Sequence, residues 1–209
     1  MAALEDFVPD VSLDCMGVAL PIMEHAIRLA VIDFCNISRA WKDTGSISIR
    51  ANRAEYEVPT PDQAVLITVE EAYYSGTRID PCAPDALRNR YVNWTTRKGI
   101  PEVFSQFNPV SLTLIPCPLV DLPKGLEFRA CYTLDRAATT VPDWLFQQYG
   151  GDIAKGAVAT LAGKQNLPCY SETLAAERKA EFMAAANQAK HRADKGFTRA
   201  PRRVAGHYL

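Results

Sequence analysis

The residues able to do chemistry are few, and their spacing is poor for catalysis. There are three histidines, His25, His191 and His207. His25 follows Glu24 inside a helical pattern, where a partly exposed imidazole is ordinary and a ligand or general base is the exception. Glu70 and Glu71 are adjacent carboxylates in a stretch that reads as a strand. Neighbouring side chains of a strand leave opposite faces, so this spacing predicts that the two do not share a site. Gly150-Gly151-Asp152 has the glycines of a nucleotide-binding turn, but no strand leads into it and no basic residue precedes it. No G-x-S-x-G, P-loop, H-E-x-x-H or D-x-D-x-D-G occurs. A glycosidase-like hydrolase would need two carboxylates converging in a cleft, and no local spacing shows such a pair. Six cysteines, at 15, 35, 82, 117, 131 and 169, have no C-x-x-C pairing and no histidine at zinc spacing. They read as reduced, mostly buried small hydrophobes. The expectation is a chain with no catalytic residue, metal or cofactor.

Charge is where the sequence is uneven. Residues 190–209 hold six Lys or Arg against one Asp, +5, which leaves −6 on the rest of a chain whose total is −1. A basic end on an acidic body points to a partner for that end. Gly196, Pro201 and Gly206 oppose a continuous helix there. Arg199, Arg202 and Arg203 offer planar, bidentate donors to carboxylates. With Val204, His207, Tyr208 and Leu209 they form the candidate partner-binding set. Residues 195–209 are expected to be poorly ordered in the free monomer and fixed on a neighbour in an assembly. Nucleic-acid binding through this end is the competing class. Its only aromatics are Phe197 and Tyr208, so it lacks a stacking platform, and a steep salt dependence of free DNA binding would be its signature. Turnover on peptidoglycan would mark a further class, a cell-wall hydrolase.

The elements that position these residues follow from periodicity. From Pro21 to Lys42, Met23, Ile27, Ala30, Val31, Phe34, Cys35, Ser38 and Trp41 recur at helical spacing. Burying such a face is worth about 1.5–3 kcal/mol per large side chain. The stretch Pro142–Ala193 reads as two helices broken by residues 165–170, with Ser171 capping the second. Gly150 and Gly151 cost roughly 1 kcal/mol each inside the first of them and could bend it. Between the two helical regions the period falls to two. Residues 47–49, 56–58, 64–74, 103–107, 110–115 and 126–134 read as short strands, residues 84–90 as a short helix or turn, with prolines at the edges.

These patterns predict an α+β fold: a helical bundle, made of the N-terminal helix and a C-terminal helical hairpin, with an inserted antiparallel β-rich domain and an extended C-terminal tail. The boundaries read as an N-terminal arm at 1–20, the first bundle helix at 21–44, the β-rich insertion at 45–140, the hairpin at 141–193 and the tail at 194–209. Phe34, Trp41, Trp144, Leu161 and Phe182 are expected to share the bundle core. Composition, 48% hydrophobic and 22% charged, is that of a globular chain. Glu5, Asp6, Asp10 and Asp14 near the start are the reverse of a secretory n-region, and no apolar run reaches the roughly 18 residues of a membrane span. Synthesis in a reducing cytoplasm and no membrane partner are the expectation.

Ala26 to Trp41, with Asp33-Phe34-Cys35 and Arg39-Ala40-Trp41, resembles the first-helix signature of bacteriophage head-to-tail adaptor (connector) proteins. Ala54 to Val58 resembles that family's Y-x-(L/V)-P strand. Pro142-Asp143-Trp144-Leu145 through Tyr149 and Ile153, then Gly156-Ala157 and Leu161, is similar to its long helix, and Phe182 and Ala189 to its last one. Tyr170 stands where the family favours Trp, and Gly150-Gly151 where it favours helix formers. The resemblance implies a structural protein of the virion neck, between capsid and tail, forming a ring that is generally dodecameric. Its partners would be further copies of itself, the portal protein, a tail or nozzle protein, and genomic DNA that passes through the channel without tight binding. It implies no catalytic cycle and no cofactor, and it makes the portal the partner of the basic end.

Overall fold

The computed structural model describes residues 1–91 and 93–195, the side chains of Arg88 and Arg90 excepted. In chain order the elements are β1 (Ala2–Ala3), a 3-10 turn (Leu4–Phe7), α1 (Val8–Asp14), α2 (Leu20–Ser38), β2 (Lys42–Ile49), β3 (Glu55–Glu57), β4 (Ala64–Tyr74), β5 (Thr77–Pro81), α3 (Pro84–Arg90), β6 (Val103–Asn108), β7 (Ser111–Ile115), β8 (Leu122–Leu134), β9 (Thr140–Val141), α4 (Asp143–Ala162) and α5 (Glu172–Lys195). They form two compact units, one from Met1–Ala40 together with the chain from Thr139 onward, the other from Trp41–Ala138.

In the helical unit, α2 buries Met23, Ala26, Ile27, Ala30, Val31, Phe34, Cys35 and Ser38, the apolar face that periodicity outlines. The helix stops earlier than the expected Lys42. Arg39 takes a left-handed conformation (φ 49°) and its N–H donates to the Cys35 carbonyl. No Gly or Asn marks this cap, which is why it is hard to read in advance. Phe34 lies against Tyr149 of α4, ring centroids 4.9 Å apart, and Phe182 of α5, 6.2 Å apart. Gly156 of α4 faces both α2 and α5. A Cβ there would stand 2.7 Å from the Phe182 ring and 3.2 Å from the Ala30 Cβ. The α4 helix runs unbroken through Gly150 and Gly151. Ser171 caps α5, its hydroxyl accepting from the Leu174 N–H at 3.3 Å.

The first twenty residues, read from sequence as an arm, are packed. Leu4, Phe7, Val11 and Cys15 are all buried, and the Phe7 ring meets Phe146 edge-on at 4.8 Å. β1 pairs antiparallel with β9. Spacings of three and four among those four residues carry the helical signal, and the surrounding acids obscure it.

The other unit holds a seven-stranded sheet in the order β2-β8-β4-β5-β6-β7-β3, which nearly closes into a barrel. β8 lies between β2 and β4 and is antiparallel to both. Leu126, Phe128, Ala130, Tyr132 and Leu134 alternate along it and are buried. A Cβ at Gly45 of β2 would fall 2.5 Å from the Phe128 ring, so a larger residue there would force that ring to move. β5 and β6 are parallel, joined by a crossover that contains α3. Leu87, Tyr91, Val103 and Ile115 make a satellite core beneath that crossover.

The expected fold class is therefore corrected. The protein is mixed α/β, with a near-barrel sheet of seven strands beside five α-helices among the described residues, rather than a helical bundle bearing an antiparallel β-rich insertion. The sheet has a core of its own and includes a parallel pair. The parallel pairing and near-closure are the features that a reading of isolated period-two runs could not supply. Trp41, expected in the bundle core, belongs to the sheet unit, where it is 6% exposed with its ring 6.4 Å from that of Tyr132. Trp144 is half-buried, while Leu145 beside it is fully buried.

Candidate functional site

Two arrangements of polar groups stand out, one in each unit. In the sheet unit, four charged side chains from three neighbouring strands converge. Lys42 of β2 pairs with Glu70 of β4 at 2.9 Å. Arg129 of β8 reaches Glu71 at 2.8 Å and Glu70 at 3.6 Å. This corrects the expectation that Glu70 and Glu71 lie on opposite faces and share nothing. The pairing of β4 with β8 slips between Val69 and Glu71, and the bulge rotates both carboxylates toward one guanidinium. Burial works to raise the Glu70 carboxyl, but hydrogen bonds from Lys42 and the Cys131 thiol, with the charges of Lys42 and Arg129, hold it below the usual carboxylate range. The Tyr73 hydroxyl adds a long hydrogen bond to Glu71, 3.4 Å. Beside the cluster is a cleft of about 450 Å³ bordered by Gly45, Glu71, Tyr73, Glu127 and Arg129.

Two anions and two cations balance in charge here. Glu70 is held ionised by its cations, so it is not poised as a proton donor. Such a cluster ties three strands together. Its two carboxylates were visible in sequence. Lys42 and Arg129 were not singled out, because only the register places them opposite.

In the helical unit, a cleft of about 340 Å³ opens at the junction of α2, α4 and α5, lined by Ala30, Asp33, Asn36, Gly156, Lys179 and Phe182, among others. Its floor is small and apolar because Gly156 lets the helices close up. Burial raises the Asp33 carboxyl. The cleft offers one carboxylate and one ammonium, a docking chemistry rather than a catalytic one.

The sequence-derived site residues fall in three places. Phe34, Leu161 and Phe182 are buried in the helical unit and Trp41 in the sheet unit, while Trp144 is half-buried. Arg199, Arg202, Arg203, Val204, His207, Tyr208 and Leu209 lie outside the described residues. Among the described residues no group of three or more His, Cys, Asp or Glu is placed to hold a metal ion, and no helix is long and apolar enough to cross a membrane. Comparison with known protein families and with curated proteins finds no match to this chain.

Proposed function

We propose that the chain is a structural virion protein, forming a ring that joins the capsid portal to the tail and extends the channel through which DNA passes. The observation that supports this reading is that the three helical motifs of the resemblance share one core, while Trp41 and the Ala54–Val58 strand motif belong to the sheet unit. Ala26, Ala30 and Phe34 come from the first-helix motif, Tyr149, Ile153, Gly156, Ala157 and Leu161 from the long-helix motif, and Phe182 and Ala189 from the last-helix motif. Most of them are buried, and the Phe34, Tyr149 and Phe182 rings and Gly156 touch across three helices. The polar clusters described above, one self-neutralised and one a shallow cleft, favour a binding and assembly role over a catalytic one.

Exposed apolar residues add support. Leu13, Met16, Leu20 and Ile22 follow one another closely and are between 40% and 80% exposed. Apolar side chains left open in this density are commonly covered by other subunits. In this reading the basic end, with Arg199, Arg202, Arg203, Val204, His207, Tyr208 and Leu209, docks on the portal, and there is no catalytic cycle. Negative-stain microscopy of the purified protein, alone and with portal protein, is the direct test. Rings, dodecameric as in the resembled family and seated on portal ends, are the expected outcome. A protein that stays monomeric and never decorates portals would overturn the reading.

A further inference from the structure

We propose that Cys15 and Cys169 form a paired dithiol that closes into a disulfide when the protein meets a small disulfide oxidant such as oxidised glutathione. Three contacts bring the two residues together. Cys15 ends α1, and Cys169 sits in the turn between α4 and α5. The Cys15 thiol lies close enough to that of Cys169 to be raised by it. Gly17, two residues beyond Cys15, packs on the residue before Cys169: a Cβ on it would be 3.5 Å from Pro168 Cγ. Asp14, immediately before Cys15, accepts a hydrogen bond from the Arg178 guanidinium of α5 at 2.9 Å, and Arg178 is held in turn by Glu181 at 3.1 Å. The backbone on both sides of the pair is thus fixed, and both cysteines lie outside regular helix. Closing the sulfurs to the roughly 2.05 Å of a disulfide therefore does not require the bending of a helix.

The other cysteines are placed differently. Cys82 and Cys117 donate to the carbonyls of Ala83 and Pro118. Cys131 is engaged with Glu70, and Cys35 is fully buried in α2. The two members of the pair also differ in access. Cys15 is fully buried, whereas Cys169 is half-buried and meets solvent first. Burial, with the Cys169 hydrogen bond and the Asp14 charge, pushes the Cys15 thiol up to about 12. Cys169, the more accessible of the two, is the sulfur that reacts with the oxidant.

The exchange balances in two steps. The Cys169 thiolate attacks one sulfur of oxidised glutathione, forming a mixed disulfide and expelling one glutathione thiolate. That thiolate takes the Cys15 proton. The Cys15 sulfur then attacks the Cys169 sulfur, forming the internal disulfide and expelling the second glutathione as thiolate, which picks up the Cys169 proton from solvent. Two protein thiols are oxidised and one glutathione disulfide is reduced to two thiols. The bond would fasten the N-terminal helix to the α4–α5 turn, joining segments far apart in sequence and restricting the unfolded chain.

The test uses the full chain. It is incubated with oxidised glutathione, alkylated, digested and mapped by mass spectrometry, in parallel with melting curves. The expected result is a cross-linked peptide holding Cys15 and Cys169, loss of two of the six titratable thiols, and a Tm raised by about 5–10 °C that a reductant reverses. Cys169→Ser should melt as the reduced protein does and lose the oxidant-dependent rise. Should that variant fold poorly, the peptide map of the unmutated chain decides alone. Stable glutathione on Cys169 with Cys15 still free, or all six thiols unchanged, would overturn the proposal. It stands whether or not the chain assembles as a ring.

Discussion

At the scale of single residues, the packing of Phe34 and the charge on Glu70 lend themselves to measurement. Phe34 is fully buried and its ring meets both Tyr149 and Phe182, so Phe34→Ala removes a large side chain from a three-helix junction. The expected loss is about 3–5 kcal/mol in denaturant unfolding of the helical unit. A change near zero would contradict the packing. Glu70 gives a pH-dependent prediction with a definite sign. Its folded-state pKa lies below the ordinary 4.5, so its contribution is present in full above that value and is lost as pH falls below it through the folded pKa. Glu70→Gln leaves Lys42 short of its carboxylate partner and should cost about 1–2 kcal/mol at neutral pH. Unfolding curves of variant and parent should draw together below pH 4.5. A difference of constant size from neutral to strongly acid pH would show that the pairing does not supply it.

At the scale of elements, the N-terminal segment is the one whose role sequence patterning understates. The 3-10 turn and α1 bring Leu4, Phe7, Val11 and Cys15 into the helical core, with Phe7 against Phe146 of α4. The segment is short, and an isolated helix of this length is unstable in water, so tertiary burial must hold it. Phe7→Ala should therefore lower the Tm of the helical unit through a cavity of the same kind as Phe34→Ala, and raise amide exchange in α1 above that in α2. Unchanged exchange in α1 would argue that the segment is anchored by β1–β9 pairing instead.

For the whole molecule, the predictions concern assembly. Truncation after Asp194 removes the basic end. The folded body should keep its melting temperature while association with portals is lost. Equal portal affinity in the truncated protein would refute the docking role. The body carries −6 outside residues 190–209, which suits a channel that DNA must slide through rather than grip. A tail-deleted ring should accordingly show no submicromolar, sequence-independent DNA affinity at physiological salt, as read by fluorescence anisotropy. Tight binding would move the protein toward the nucleic-acid-binding class.

Local pattern by itself determined much of this protein. The apolar face of α2, the residue type and near-boundaries of β4, α3, β6, β7 and α5, and the Ser171 cap all follow from periods of 3.6 and two and from the chemistry of helix and turn ends, which act over a few residues. Interactions between distant segments decided the rest. Arg39 in a left-handed cap, with no glycine to announce it, hands Trp41 to the sheet unit. The β4 bulge turns two adjacent glutamates toward one arginine, because strand register is set by the partner strand and not by the strand alone. β5 and β6 run parallel because a crossover between them packs its own small core, and the sheet nearly closes for reasons no single strand contains. Cys15 and Cys169, unremarkable when read along the chain, lie in neighbouring segments because α1, α5 and the α4–α5 turn are tied by Asp14, Arg178 and Pro168. A sequence window of a dozen residues holds the propensity of each element; only folding brings together groups separated by more than a hundred.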